Sequence, residues 1–192
     1  MSLLGSATSA LRLLREQGVS GCLVGGLAVS ARCDPRFTRD VDLAVAVSDD
    51  RSAEAAVQAL QHRGYSVSAV VEQEAVGRLA MVRVVDSDGV SVDLLVASSG
   101  IESEVVAESE LLEVTRGVRL PVARTGHLIA LKLLSVAPGR ETDVADLRGL
   151  ASVADVAEWL RAETAVRSIV SRGFTRGRDL VADLASLRGS AD

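Results

Sequence analysis

Two aspartates, Asp40 and Asp42, stand two residues apart at the head of an apolar run, Val41 and Leu43 to Val47. In a β-strand that spacing puts both carboxylates on one face. Two anions side by side at the mouth of a core strand repel each other and lose hydration. A third acid, Asp93, lies inside another apolar stretch, between Val92 and Leu94-Leu95. If the three converge, a pair of Mg²⁺ ions roughly 3.5–4 Å apart would offset the repulsion and clamp a transferring phosphoryl group. The plainer alternative has one aspartate capping a turn and another paired with Arg36 or Arg39. Asp93 turned away from the pair, or a salt bridge filling the gap between them, would remove the enzyme reading.

Other residues fit phosphate chemistry. Gly25-Gly26 follows a short apolar segment, Gly21 to Val24, and precedes a helical pattern. Glycines at such a junction let the backbone approach a triphosphate, and the helix start offers free N–H groups. The stretch is neither a Walker A loop nor G-x-G-x-x-G. Lys132 is the single lysine among 21 basic residues. On a helix with His127, Leu128 and Leu131, it would reach a triphosphate as a point charge, or snorkel to water. Asp143 and Asp146 are one helical turn apart; one would hold Lys132 or Arg140, or act as a base, or both are ordinary helix-start acids. His62 and His127 form no metal pair. Arg167, Arg172, Arg176 and Arg178 have no acid between them and read either as an RNA-phosphate surface or as a solvated face.

The elements that must position these groups follow from periodicity. The spacing predicts helices over 6–17 and 27–33, a strand over 40–47, and a helix over 50–62. Strands are predicted over 65–71, 79–85 and 90–96, the last two joined by a two-residue turn at Asp88-Gly89. A short helix over 101–107 and β structure over 111–122 come next. Thr125 is placed to cap a helix through Leu134, and Pro138-Gly139 turns the chain. Helices over 142–150, 152–161, 164–172 and 178–187 complete it. The expectation is an α/β (α+β) core over 1–122 and a helical C-terminal part over 123–192 that completes the site.

Composition narrows the function classes. Of 192 residues, 48% are hydrophobic but only 2% aromatic, so small aliphatics fill the core and base-stacking platforms are excluded. Net charge is −5, which argues against general duplex binding. Residues 1–110 carry nine arginines against sixteen acids, whereas residues 111–192 carry twelve basic residues against ten acids. The C-terminal part is therefore where a local basic surface has room to form. Cys22 and Cys33 read as small buried hydrophobes in a reducing compartment. With no secretory pattern and no membrane-length apolar run, a cytoplasmic protein without a membrane partner is expected.

The stretch VGGLAVSARCDPRFTRDVDLAV resembles the first motif of polymerase-β-type nucleotidyltransferases, and most closely the AbiEii/MenT type, the toxins of type IV toxin–antitoxin systems. The matching residues are Val24, Gly25, Gly26, Arg36, Thr38, Asp40 and Asp42. GHLIALKLLSVAPGRETDVADL resembles that family's second signature through Lys132, Arg140, Asp143, Asp146 and Leu147. The chain departs from the pattern at Gly26, where relatives can have serine, and at Thr142, where a basic residue is common. The resemblance implies a small mixed sheet flanked by helices, followed by a helical part. It implies Mg²⁺-dependent transfer of a nucleoside monophosphate from an NTP to an acceptor, which can be the 3′ end of tRNA, and an antitoxin partner. On that basis Asp40, Asp42 and Asp93 bind Mg²⁺, Asp93 helps deprotonate the attacking hydroxyl, and Asp143 joins the catalytic set. Gly25, Gly26, Arg36, Thr38 and Lys132 hold the triphosphate. A small hydroxyl compound of the antibiotic type as acceptor, favoured by a deep acidic cleft without a basic rim, is the alternative within enzymes. A non-catalytic relative that binds nucleotide or a partner protein is the alternative outside them.

Overall fold

The computed structural model describes residues 2–73, 76–137 and 141–190. Among these residues are eight helices and seven strands. They run α1 (Leu3–Glu16), β1 (Ser20–Val24), α2 (Gly25–Arg32), β2 (Val41–Ala46), α3 (Asp50–Gln61), β3 (Ser66–Gln73), β4 (Arg78–Val85), β5 (Ser91–Leu95), α4 (Glu102–Ala107), β6 (Glu110–Thr115), β7 (Val118–Val122), α5 (Thr125–Ser135), α6 (Glu141–Val153), α7 (Val156–Ser171) and α8 (Leu180–Gly189). The strands form one mixed sheet in the order β3-β4-β5-β2-β1-β7-β6. This is the mixed α/β architecture that the periodicities predict.

The middle of the sheet carries the site. β2 runs parallel to β5 with Asp42 beside Asp93. β1 is antiparallel to β2 with Val24 beside Asp42, and β4 is antiparallel to β5 with Arg83 beside Asp93. One transverse row therefore reads Val24, Asp42, Asp93, Arg83. Neighbours in such a row lie about 5 Å apart and share a face, so backbone pairing alone brings these side chains together. Below the row the strands are apolar: Val41, Leu43, Val92 and Leu94 are at most 1% exposed. Burying each such side chain contributes about 1.5–3 kcal/mol, which anchors the register that aligns the acids.

Helices α1, α3 and α4 pack on the sheet, and α5 to α8 form a helical group joined to it through α2. Within that group α5 and α7 touch backbone to backbone. A Cβ built on Gly126 would lie 2.3 Å from the Glu158 carbonyl oxygen, so only glycine fits there. Glu158 also accepts a hydrogen bond from the Gly126 N–H at 2.7 Å. This corrects the expected cap at Thr125: Thr125 is the first helical residue, and the cap comes from α7.

Three further expectations change. Residues 156–171 form one helix instead of two; the Thr164 hydroxyl, readable as a helix start, donates instead to the Leu160 carbonyl within α7. The β4–β5 bend is not a two-residue turn. The Asp86 N–H bonds the Val90 carbonyl, leaving Ser87 to Gly89 in the bend, and the Asp86 carboxylate takes the Asp88 and Val90 N–H groups. Cys22 is fully buried as expected, but Cys33 is only partly so. The expected Pro138-Gly139 turn and Arg140 lie outside the described residues. Among the described residues no helix is long and apolar enough to cross a membrane.

Candidate active site

A cleft of about 460 Å³ opens at the end of the central strands. It brings together Gly25, Gly26, Arg36, Thr38, Asp40, Asp42, Asp93, Lys132 and Asp143. These come from α2, the loop before β2, β2 itself, β5, α5 and α6.

One carboxylate oxygen from each of Asp40, Asp42 and Asp93 lies within 4.8 Å of the other two. Asp93 faces the pair. Three hard oxygen donors at this spacing suit a divalent cation such as Mg²⁺. Burial pushes the Asp42 carboxyl up to about 6, helped by the charges of Asp40 and Asp93; Lys132 and the Gly26 amide pull the other way. Such an under-neutralised carboxylate gains from a bound cation. Asp40 accepts a hydrogen bond from the Thr38 hydroxyl at 3.1 Å.

The glycines serve the acids directly. Gly25 has φ +59°, and a Cβ on it would lie 1.9 Å from an Asp42 carboxylate oxygen. A Cβ on Gly26 would meet the Thr38 hydroxyl at 2.8 Å and an Arg36 nitrogen at 3.0 Å. The close approach that Gly25-Gly26 permits in this structure is therefore to Asp42, Thr38 and Arg36.

A second cluster lines the opposite wall. Lys132 Nζ lies 2.7 Å from Asp143 and 2.8 Å from Asp146. Arg36 grips Asp146 with two nitrogens, at 2.6 and 2.8 Å. The Lys132 side chain is only 12% exposed, so it is not a snorkelling surface lysine. Both acids are buried, and Asp146 is 3% exposed. They are pairing partners of the lysine, not merely helix-start acids. Arg36 meets Asp146 instead of either strand aspartate, and Arg39 lies over the Phe37 ring.

Sequence reasoning missed Arg83. Its guanidinium donates to both Asp93 oxygens, at 2.6 and 2.7 Å, and comes to 4.0 Å of Asp40. Those hydrogen bonds push its own pKa up. A salt bridge thus occupies one side of the trio, but among the described residues it leaves Asp42 outside any ion pair. The predicted two-residue turn would have paired Asp93 with Val84; only the three-residue bend sets Arg83 opposite Asp93. At the far end of the cleft Arg176 is also present, with φ +54°, its side chain donating to the Ser98 carbonyl and hydroxyl at 3.1 and 2.8 Å. Of the four C-terminal arginines singled out by charge, Arg172 pairs with Glu104 and Arg178 with Asp183, so those two belong to structural contacts.

Solved structures share the fold. An antigenic nucleotidyltransferase-like protein from Paracoccidioides brasiliensis is 16% identical, with TM-score 0.54, over 97% of this chain and 92% of that one. ANT(2″)-Ia in complex with adenylyl-2″-tobramycin is 16% identical, with TM-score 0.56, over 88% and 98%. The lincosamide antibiotic adenylyltransferase LnuA, lincomycin-bound, is 16% identical, with TM-score 0.51, over 78% and 97%. Comparison with curated proteins gives no match. Residues 4–171 match the family described as "Nucleotidyl transferase of unknown function (DUF2204)", a span that holds both acidic clusters, and the chain belongs to that family of nucleotidyltransferases.

Proposed function

We propose that this nucleotidyltransferase is Mg²⁺-dependent and moves a nucleoside monophosphate from an NTP to an acceptor hydroxyl, with the 3′ end of tRNA as acceptor and a toxin-like outcome in the cell. The observation that carries the metal reading is the convergence of Asp40, Asp42 and Asp93 within 4.8 Å beside the Gly25-Gly26 turn. When bound, Mg²⁺ supplies positive charge to the reacting phosphate and the leaving pyrophosphate. Asp40 and Asp42 would hold that cation, with Asp93 converging beside them. The Gly26 amide at the start of α2 and the Lys132 ammonium present donors to the triphosphate, and Thr38 holds Asp40 in place. Asp93 takes the proton of the attacking hydroxyl as its oxygen bonds the α-phosphorus and the bond to pyrophosphate breaks. Asp143, on Lys132, sets where the ammonium sits. Catalysis is positioning and charge stabilisation.

Arg176 adds a basic group to the cleft lining, which supports a phosphate-bearing acceptor. The resemblance to toxin nucleotidyltransferases supports the same choice and an antitoxin partner. A small hydroxyl acceptor is the second reading, favoured by the fold shared with lincomycin-bound LnuA and with ANT(2″)-Ia. Incubation with each α-labelled NTP, Mg²⁺ and total tRNA is the test, with parallel arms holding lincomycin or tobramycin. Label on tRNA supports the main reading, and label only on a small compound replaces it. No label in any arm from folded protein overturns both. Growth arrest on expression, relieved by Asp42→Ala, is the expected cellular counterpart.

A further inference from the structure

We infer that Arg83 fills the place of a second cation, so that the site works with one divalent ion and a built-in guanidinium. The inference rests on the metal-dependent reading above. A two-ion site needs a cation between the third carboxylate and the Asp-x-Asp pair. Here the guanidinium already takes both oxygens of that third carboxylate, at 2.6 and 2.7 Å, from the β4 side, and lies 4.0 Å from Asp40. The placement comes from the sheet itself: Arg83 and Asp93 are direct partners in the antiparallel β4–β5 pair. A planar fork on a carboxylate is a strong, geometrically fixed arrangement, and Arg stays charged at any working pH. A guanidinium and a Mg²⁺ ion at one spot exclude each other by size and by charge. Asp42, which has no ion pair among the described residues, and Asp40 then face the single ion that arrives with the triphosphate. Arg83 keeps Asp93 turned toward the attacking hydroxyl, as a positioning residue.

The test counts ions. Mn²⁺ bound per chain is measured by equilibrium dialysis with a mixture of the four α,β-methylene NTPs, the nucleotide-only chamber being subtracted. EPR spectra then report whether bound ions are spin-coupled. The unmodified protein is expected to hold one uncoupled Mn²⁺. Arg83→Gln opens the position and is expected to hold two coupled ions, whereas Arg83→Lys, which keeps the charge, stays at one. Two coupled ions in the unmodified protein overturn the inference, as does one ion in Arg83→Gln. Label transfer by a protein holding two ions would leave the metal-dependent reading standing and remove only this step. No ion in any of the three proteins, together with no transfer, removes both.

Discussion

Two charged clusters face each other across the cleft, built on opposite principles. The Lys132–Asp143–Asp146–Arg36 cluster balances two cations against two acids, all within ion-pair distance. The sheet cluster sets three aspartates against Arg83, and one charge is left short: the Asp42 carboxyl rises to about 6. The balanced cluster joins α5 and α6 to the loop before β2 and holds them in register. The unbalanced one stores unfavourable charge at a place where a cation can relieve it. Folding is served by the first, and the second is maintained at folding's expense.

That contrast breaks most visibly at Asp42. Asp42→Asn should lower NMP transfer by roughly 10³-fold, about 4 kcal/mol in the barrier, while the metal-free protein melts no lower than the parent. Steady-state rates and calorimetry on one preparation would check both halves, and a lowered Tm would erase the distinction. In the balanced cluster the order reverses. Asp146→Asn strips Lys132 and Arg36 of a shared buried partner and should cost about 3 kcal/mol of stability, read from urea unfolding at pH 7.

The pH dependence sharpens the comparison at intermediate size. The folded Asp42 carboxyl binds its proton more tightly than the unfolded one, since its value stands near 6. Its stabilising share is therefore complete below about pH 4 and is lost as pH rises through about 6. Metal-free parent protein should lose about 2 kcal/mol relative to Asp42→Asn across that window, allowing for partial contact with water. Parallel stability curves for the two proteins would contradict the assignment. The smallest effect belongs to Thr38→Val, which removes one hydroxyl from Asp40 without touching the sheet. About 1 kcal/mol in transfer rate, with unchanged unfolding, is the expected result.

How much of this was legible in the sequence differs between the clusters for a physical reason. Asp40, Asp42 and Asp93 stand out because charge interrupts strand-period apolar runs, and local pattern suffices to see it. Lys132 drew notice as the sole lysine, and Asp143 and Asp146 by their helical spacing. The Arg36–Asp146 pair joins residues 110 positions apart, and no local rule connects them. Arg83 looked like an ordinary outward residue, because Ala80, Val82 and Val84 are the buried ones in β4. Only the register with β5 shows that its face is the one carrying Asp93. In the helical part, the single α7 was read as two because Thr164 resembles a cap. The tertiary bond from Glu158 to Gly126 was likewise invisible to a search for local caps.

The α5–α7 crossing at Gly126 has a mechanical corollary. Main-chain atoms meet there with no side-chain cushion between them, so the contact cannot yield by a change of rotamer. Lys132 lies on α5 less than two turns further along. α7 is thus a hard stop for α5, and a residue added to α7 would be felt as a displaced Lys132 even though no α7 residue lines the cleft.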